Sequence, residues 1–283
     1  ANSLPVDDLV EIRYPINKFD DLIKREAKKP FSLKFLRKIN KNMYENRLDR
    51  SIRKTKLITE RHPWLIENTN DFDKKLYYRP KQKIINDLMK DLVNFSLRNN
   101  LTPIIKSAVI YGQLLMIHPF KYANFRSCSF VIPYMFNNLG LTENNIIFIN
   151  GIFRKERDEF YKTLTELFRN NNWELWIQYF LKKLEEQLIR LEKIINHIIT
   201  FFEKLIKRIN KEISSTKTRK YITAIMENPI FNSADLIRRY GLTTTTIRRF
   251  TKVMEDYEMI TKDARGNFIN YFLNELHKVM KIC

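Results

Sequence analysis

The stretch His118-Pro119-Phe120-Lys121-Tyr122-Ala123-Asn124-Phe125-Arg126 decides how the rest of the chain is read. Ahead of it, Pro103 to Ile117 is an apolar run of helix length with Pro in its first turn, where the missing N–H leaves nothing unpaired. After it, Ser127 to Asn138 reads as a second buried helix, closed by Leu139-Gly140, where Gly supplies a left-handed cap. The expected arrangement is helix, short polar loop, helix. A His leaves the first helix, and the loop amides gather where the second begins. Unpaired N–H groups and the partial positive charge of a helix start suit an anion. Arg126, one turn in, adds a bidentate donor for phosphate.

These residues resemble the signature of the Fic family (the Fido fold), usually H-P-F-x-[D/E]-G-N-G-R-x-x-R. His118, Pro119, Phe120, Asn124 and Arg126 match it. Tyr122 stands in the place of the acid, Ala123 and Phe125 replace the two Gly, and Ser129 sits where the second Arg is expected. Ala in the first Gly position also occurs in active branches of the family. The resemblance implies His118 as the catalytic general base, and Ala123, Asn124, Phe125 and Arg126 around a nucleotide. It implies ATP, from which AMP passes to a hydroxyl of a target protein.

In that family the acid holds Mg²⁺. A Tyr phenol, with a pKa near ~10, is neutral at pH 7 and a poor ligand for a cation that wants hard anionic oxygens. Tyr122 therefore weighs against Mg²⁺, and no residue of this chain is nominated as a metal ligand. Phe125 puts bulk where backbone should approach phosphate closely, and Ser129 removes a fixed charge. Two functions stand side by side. One is a Fic-type adenylyltransferase acting on proteins. The other is a Fic-fold regulatory protein without turnover, which binds DNA or a protein partner through its C-terminal module.

The formal net charge of +19 and pI near 9.8 attract polyanions such as nucleic acid, nucleotides or an acidic protein surface. Residues 214–283 carry 12 Lys/Arg against 7 Asp/Glu, a net of +5, which leaves +14 for residues 1–213. The basicity is spread rather than gathered in one module. A hydrophobic content of 44% supports a packed core. No run has transmembrane length, and Ala1 to Asp8 lacks the basic-then-apolar form of a signal peptide. Cys128 and Cys283 are the only cysteines, which argues for a reducing cytosol and against a structural disulfide. No Cys/His spacing points to zinc.

Along the chain, Phe19 to Lys28 is a short helical candidate, and Ser32 to Arg47 is an amphipathic helix that Ser32 caps, with Leu33, Leu36, Ile39 and Met43 on one face. His62-Pro63-Trp64 and Tyr77 to Pro80 belong to an irregular stretch where the resemblance implies a hairpin flap, about residues 59–80. Pro80 to Arg98 is a further helix with Ile84, Ile85, Leu88, Met89, Leu92, Val93 and Phe95 on its buried side. The inhibitory pattern [S/T]-x-x-x-E-[G/N] of the resembled family is absent before the signature, and its match at Thr223 to Asn228 reads as chance. Ile147 to Asn150 is a short strand-like run, and Asp158 to Arg169 a helix. A long helix runs from Trp173 to Lys211, with Trp173, Trp176, Tyr179 and Phe180 as core and His197 as a core or groove residue.

Ser214 to Thr218 reads as a linker. Beyond it come a helix from Arg219 to Glu227, a capped helix ended by Gly241, a third helix from Thr243 to Glu258, and a two-stranded wing from Ile260 to Phe272. These elements resemble a winged helix-turn-helix, in which Thr244, Arg248, Arg249 and Lys252 of the third helix would face DNA.

The expected architecture is mainly α. Residues 1–100 form the N-terminal helical part with the flap, 101–213 the Fic core with its signature at 118–126, and 214–283 the winged helix. The expected partners are a target protein hydroxyl, DNA through the winged helix, and a second copy of the chain.

Overall fold

Pro103 opens the central helix, α3 (Pro103–Ile117), after α1 (Leu33–Glu45) and α2 (Gln82–Ser96). The computed structural model describes residues 22–26, 29–45, 63–65, 76–78, 80, 82–98, 100–120, 124–143, 147, 153, 156–213, 217–228, 230–263 and 269–275, with backbone alone at 43–45, 63–65, 76–78, 82, 126 and 157. The chain divides into two compact units, 1–188 and 189–283.

In the first unit α3 is apolar nearly all round and is accordingly buried on most sides. It touches α2, α4 (Asn124–Ser129), α5 (Val131–Asn138) and α6 (Arg157–Asn170). Its one buried cation, Lys106, donates to Ser96 O at 3.3 Å, where the carbonyl end of α2 supplies negative potential. Ser32 caps α1 as expected, accepting from Phe35 N–H at 3.2 Å, and Phe35, Leu36 and Ile39 are buried. Residues 22–26 are helical within the expected 19–28, and Glu26 there accepts from Lys38 at 2.5 Å and Lys29 at 3.1 Å.

Two expectations for this unit need correcting. Ser127 to Asn138 is not one helix: the first helix starts at Asn124 and breaks at Phe130 before α5 begins. Pro133 is the reason, since it has no N–H for Ser129 O and its ring crowds that carbonyl. Ile84, expected to be buried, is 42% exposed, while Ile85, Met89 and Leu92 fill the core side of α2.

A ladder of β1 (Pro63–Leu65) and β2 (Leu76–Tyr78) pairs antiparallel, Pro63 opposite Tyr78, inside the expected hairpin region. Of the strand-like run Ile147 to Asn150, only buried Ile147 lies among the described residues. The long helix is continuous as α7 (Trp173–Glu212). Trp176, Tyr179 and Phe180 are buried as expected, whereas Trp173 is half-buried and donates its indole N–H to Asn171 Oδ1. Trp176 donates to Ala108 O at 2.9 Å, which fixes the start of α7 against α3.

The second unit takes in the end of α7, from Ile189 on. Phe202, Leu205, Ile209 and Ile213 of the long helix pack into its core with Tyr221, Phe231, Ile247, Phe250 and Leu273. Thr218, assigned to the linker by sequence, is the buried first residue of α8 (Thr218–Glu227). Then follow β3 (Ile230–Asn232), α9 (Ser233–Tyr240), α10 (Thr244–Asp256), β4 (Ile260–Asp263) and β5 (Asn270–Leu273).

Asn232 caps α9 by accepting from Asp235 N–H at 2.8 Å, and Gly241 ends it at φ 60°, where a side chain would be strained. The sheet is antiparallel in the order β3-β5-β4, with Phe231 opposite Tyr271 and Lys262 opposite Tyr271 on its other side. β3 was not foreseen. His197, expected in a core or groove, is exposed, and its Nε2 lies 2.8 Å from Glu275 Oε1. Among the described residues no helix is long and apolar enough to cross a membrane.

Candidate active site and charged helix face

The Pro103–Ile117 helix ends by turning left-handed at His118, φ 49° and ψ 58°, while the His118 N–H still closes the last turn on Leu114 O at 3.0 Å. A β-carbon makes that conformation costly, so a His held there is fixed by its surroundings and not by its own preference. The residue is 9% exposed, and Pro119 and Phe120 after it are buried. The backbone therefore fixes how His118 leaves α3, and burial leaves its side chain little freedom.

The loop is closed by one side chain. Phe120 N–H donates to Asn124 Oδ1 at 2.7 Å, and Asn124 Nδ2 donates back to Phe120 O at 2.5 Å. Asn124 is 3% exposed, so both ends of its amide are spent on the loop backbone. The Asn124 side chain thus braces the turn that carries His118.

A second brace was not foreseen in the sequence. Asn40 of α1 donates to Ser127 Oγ of α4 at 2.9 Å, with both groups essentially inaccessible to water. It ties the helix after the loop to an element 87 residues away. Only an unaccompanied polar residue on the inner face of the Ser32–Arg47 helix hinted at it.

The replaced signature positions are also explained by packing. The Phe125 ring meets Phe160 edge-on, centroids 5.5 Å apart, at the margin of an aromatic cluster that includes Phe153, Tyr179 and Trp176. Its bulk is thus directed at α6. Ser129, in the second Arg position, is 2% exposed and has no room for a guanidinium. Cys128 between them is wholly buried, and burial pushes its thiol well above the usual range, so it stays protonated. Lys121, Tyr122 and Ala123 lie outside the described residues, as does the side chain of Arg126, whose backbone is in the first turn of α4.

Asp158 and Glu159 are the carboxylates at the start of α6. Asp158 is exposed, and Glu159 is committed elsewhere: its oxygens lie 3.1 Å from Lys183 Nζ and 3.5 Å from Lys182 Nζ. Lys183 is itself buried and also pairs with Glu156 and Glu186. Burial is the largest single influence on Glu159 and opposes its ionisation, but hydrogen bonds with Lys183 and Glu156 and the charges of Lys183 and Lys182 together hold the carboxyl below its ordinary value. Among the described residues no three His, Cys, Asp or Glu side chains gather as a metal would need.

In the second unit, Thr243 caps α10 by accepting from Thr246 N–H at 3.3 Å. Ile247, Phe250, Thr251 and Met254 face the core, so Thr244, Thr245, Arg248, Arg249 and Lys252 are exposed along the other side. The four residues expected to face DNA are brought together on one helix and one surface.

No family model and no curated protein matches the sequence. Solved structures do. A Fic family protein from Desulfovibrio desulfuricans aligns with a TM-score of 0.50 at 15% identity, over 97% of this chain and 77% of that one. A Fic domain containing signaling protein from Bacteroides thetaiotaomicron aligns with a TM-score of 0.52 at 17% identity, over 67% of this chain and 73% of that one. The helices packed around α3 thus belong to a known architecture: this chain has the Fic fold.

Proposed function

We propose that the chain is a nucleotidyltransferase that moves AMP from ATP onto a hydroxyl of a target protein. The observation that carries the reading is His118, the residue a general base would need, held in a left-handed turn at the end of α3 by a loop that Asn124 locks. Such a base works through position first. In the reaction the target hydroxyl oxygen attacks the α-phosphorus of ATP, and the bond to pyrophosphate breaks. The hydroxyl proton passes to the His118 imidazole. Backbone amides and Arg126 at the start of α4 would hold the phosphates, where positioning and fixed charge supply most of the rate.

Mg²⁺ does not fit the residues present. The acid position is a neutral phenol in sequence, Glu159 is held by two ammonium groups, and no donor cluster exists among the described residues. No step is therefore assigned to a metal.

The test is labelled ATP, with and without Mg²⁺, on the wild-type chain and on His118→Ala. Label transferred to protein by the wild type and lost in the variant supports the transferase. Nucleotide bound with no transfer supports a sensor, and neither would overturn both.

A second reading is favoured by a separate observation. The second unit adds α8, β3, α9, α10 and the antiparallel pair β4–β5 to the end of α7, and α10 presents Arg248, Arg249 and Lys252 outward. On this reading the unit is a winged helix that binds DNA, and the chain acts as a regulator.

A further inference from the structure

We infer that duplex DNA is held by a cationic surface that extends beyond α10 to Lys220 of α8. Lys220 is the phosphate contact at the α9–α10 turn, and Arg249 is the side chain that enters the groove. The inference rests on the winged-helix reading above.

Lys220 is 24 or more residues in sequence from the exposed face of α10, yet its Nζ lies 3.8 Å from the point that a β-carbon on Gly241 would occupy. Gly241 ends α9 two residues before Thr243 caps α10. An ammonium group therefore sits at the end of α9, where the chain turns toward α10. Lys220, Arg248, Arg249 and Lys252 are all exposed, and none forms an ion pair among the described residues.

The acids nearby are otherwise engaged or displaced. Asp235 pairs with Arg238 at 2.6 Å, and Glu227 accepts from Tyr240 at 2.6 Å. Glu255 and Asp256 come only in the last turn of α10. The cationic part is thus the first two-thirds of the helix together with the preceding turn.

The helical positions assign the roles. Ile247, Phe250 and Met254 define the buried line, and Thr245, Arg249 and Lys252 lie opposite it, furthest from the core. A helix with its side chains is about 10–12 Å across, which fits a major groove about 12 Å wide. Arg248 flanks that line and Lys220 stands at the preceding turn, so both would meet phosphates, which position without reading sequence. Glu255 and Asp256 would be repelled by the backbone, so the helix enters by its first turns. A-form RNA has a major groove too deep and narrow for such a helix, which favours DNA over duplex RNA.

The experiment is fluorescence anisotropy of the full chain with a labelled duplex pool and its selected sequences, over a range of salt, for wild type, Lys220→Ala and Arg249→Ala, with thermal melts of each. The expected result for Lys220→Ala is weaker binding to every sequence and a slope of log affinity against log salt smaller by about 1. Arg249→Ala is expected to lose preference among sequences. Unchanged affinity and slope for Lys220→Ala overturn the Lys220 contact while the DNA reading stands. A lowered melting temperature with an unchanged slope does the same, since it reveals only a contact at the end of α9. No wild-type binding to duplex DNA at low salt, or equal binding to duplex RNA, overturns the DNA reading as well.

Discussion

Asn124 and Phe120 exchange two hydrogen bonds across the loop that carries His118, Phe120 N–H to Oδ1 at 2.7 Å and Nδ2 to Phe120 O at 2.5 Å. Only an amide side chain offers both an acceptor and a donor in that shape. Asn124→Ala leaves two buried backbone groups without partners, an expected loss of about 2–4 kcal/mol. Asn124→Asp keeps the acceptor for Phe120 N–H and sets a carboxylate against Phe120 O, so it is expected to be no better tolerated. Urea denaturation of both variants checks this. Wild-type stability in Asn124→Ala would show that the amide does not brace the loop.

Restoring the family's residues at the altered positions is expected to harm the protein. Phe125→Gly removes the edge-on contact with Phe160 and places Gly in a helix, together about 2 kcal/mol. Ser129→Arg forces a guanidinium into a site that is 2% exposed, with an expected cost of about 3–5 kcal/mol for an unpaired buried charge. Circular-dichroism melts of the two variants provide the measurement. A Ser129→Arg protein as stable as wild type would mean that the site retains space for the charge.

The helices were legible because their apolar residues repeat at three and four and their ends carry Ser32, Pro103, Asn232 and Gly241. His118 stood out through the signature alone, and the left-handed turn that holds it had no local signal. The Phe130 break was readable in principle, since Pro133 stands one turn inside the expected helix. β3 was not: its residues Ile230–Asn232 are too few for an alternating pattern and run straight into the cap of α9. The Asn40–Ser127 bond and the approach of Lys220 to Gly241 join residues distant in sequence, and no local pattern encodes them. Burial also exceeded what one helix can report, as Ile84 shows: its neighbours on α2 are covered and it is not.

Acid stability is expected to depend on Glu26. The hydrogen bond from Lys38 chiefly holds its carboxyl below the ordinary value of 4.5, against the opposing effect of burial and with help from Lys29. A depressed pKa means that the folded state binds the proton less readily than the unfolded chain. The stabilisation is therefore complete above the unfolded value and is lost as pH falls through the lower, folded one. Melting temperatures of wild type and Glu26→Gln from pH 6 to pH 2 should differ most at the top of that range and converge toward its acid end. Parallel curves would remove Glu26 from the acid transition.

Gly112 tests how closely α3 and α7 approach. A β-carbon there would lie 2.7 Å from Trp176 Nε1, closer than real side chains come, and Trp173 stands 3.1 Å away. The indole cannot swing aside without cost, because Trp176 is wholly buried and its N–H is donated to Ala108 O at 2.9 Å. In an open helix Gly→Ala would stabilise by about 1 kcal/mol through propensity. Overpacking here costs about 1–3 kcal/mol and breaks or stretches the Trp176 bond, so Gly112→Ala is expected to be net destabilising. Equilibrium unfolding, followed with tryptophan fluorescence that reports the indole directly, measures both consequences. A Gly112→Ala protein more stable than wild type, with unchanged emission, would show that α7 yields at this contact.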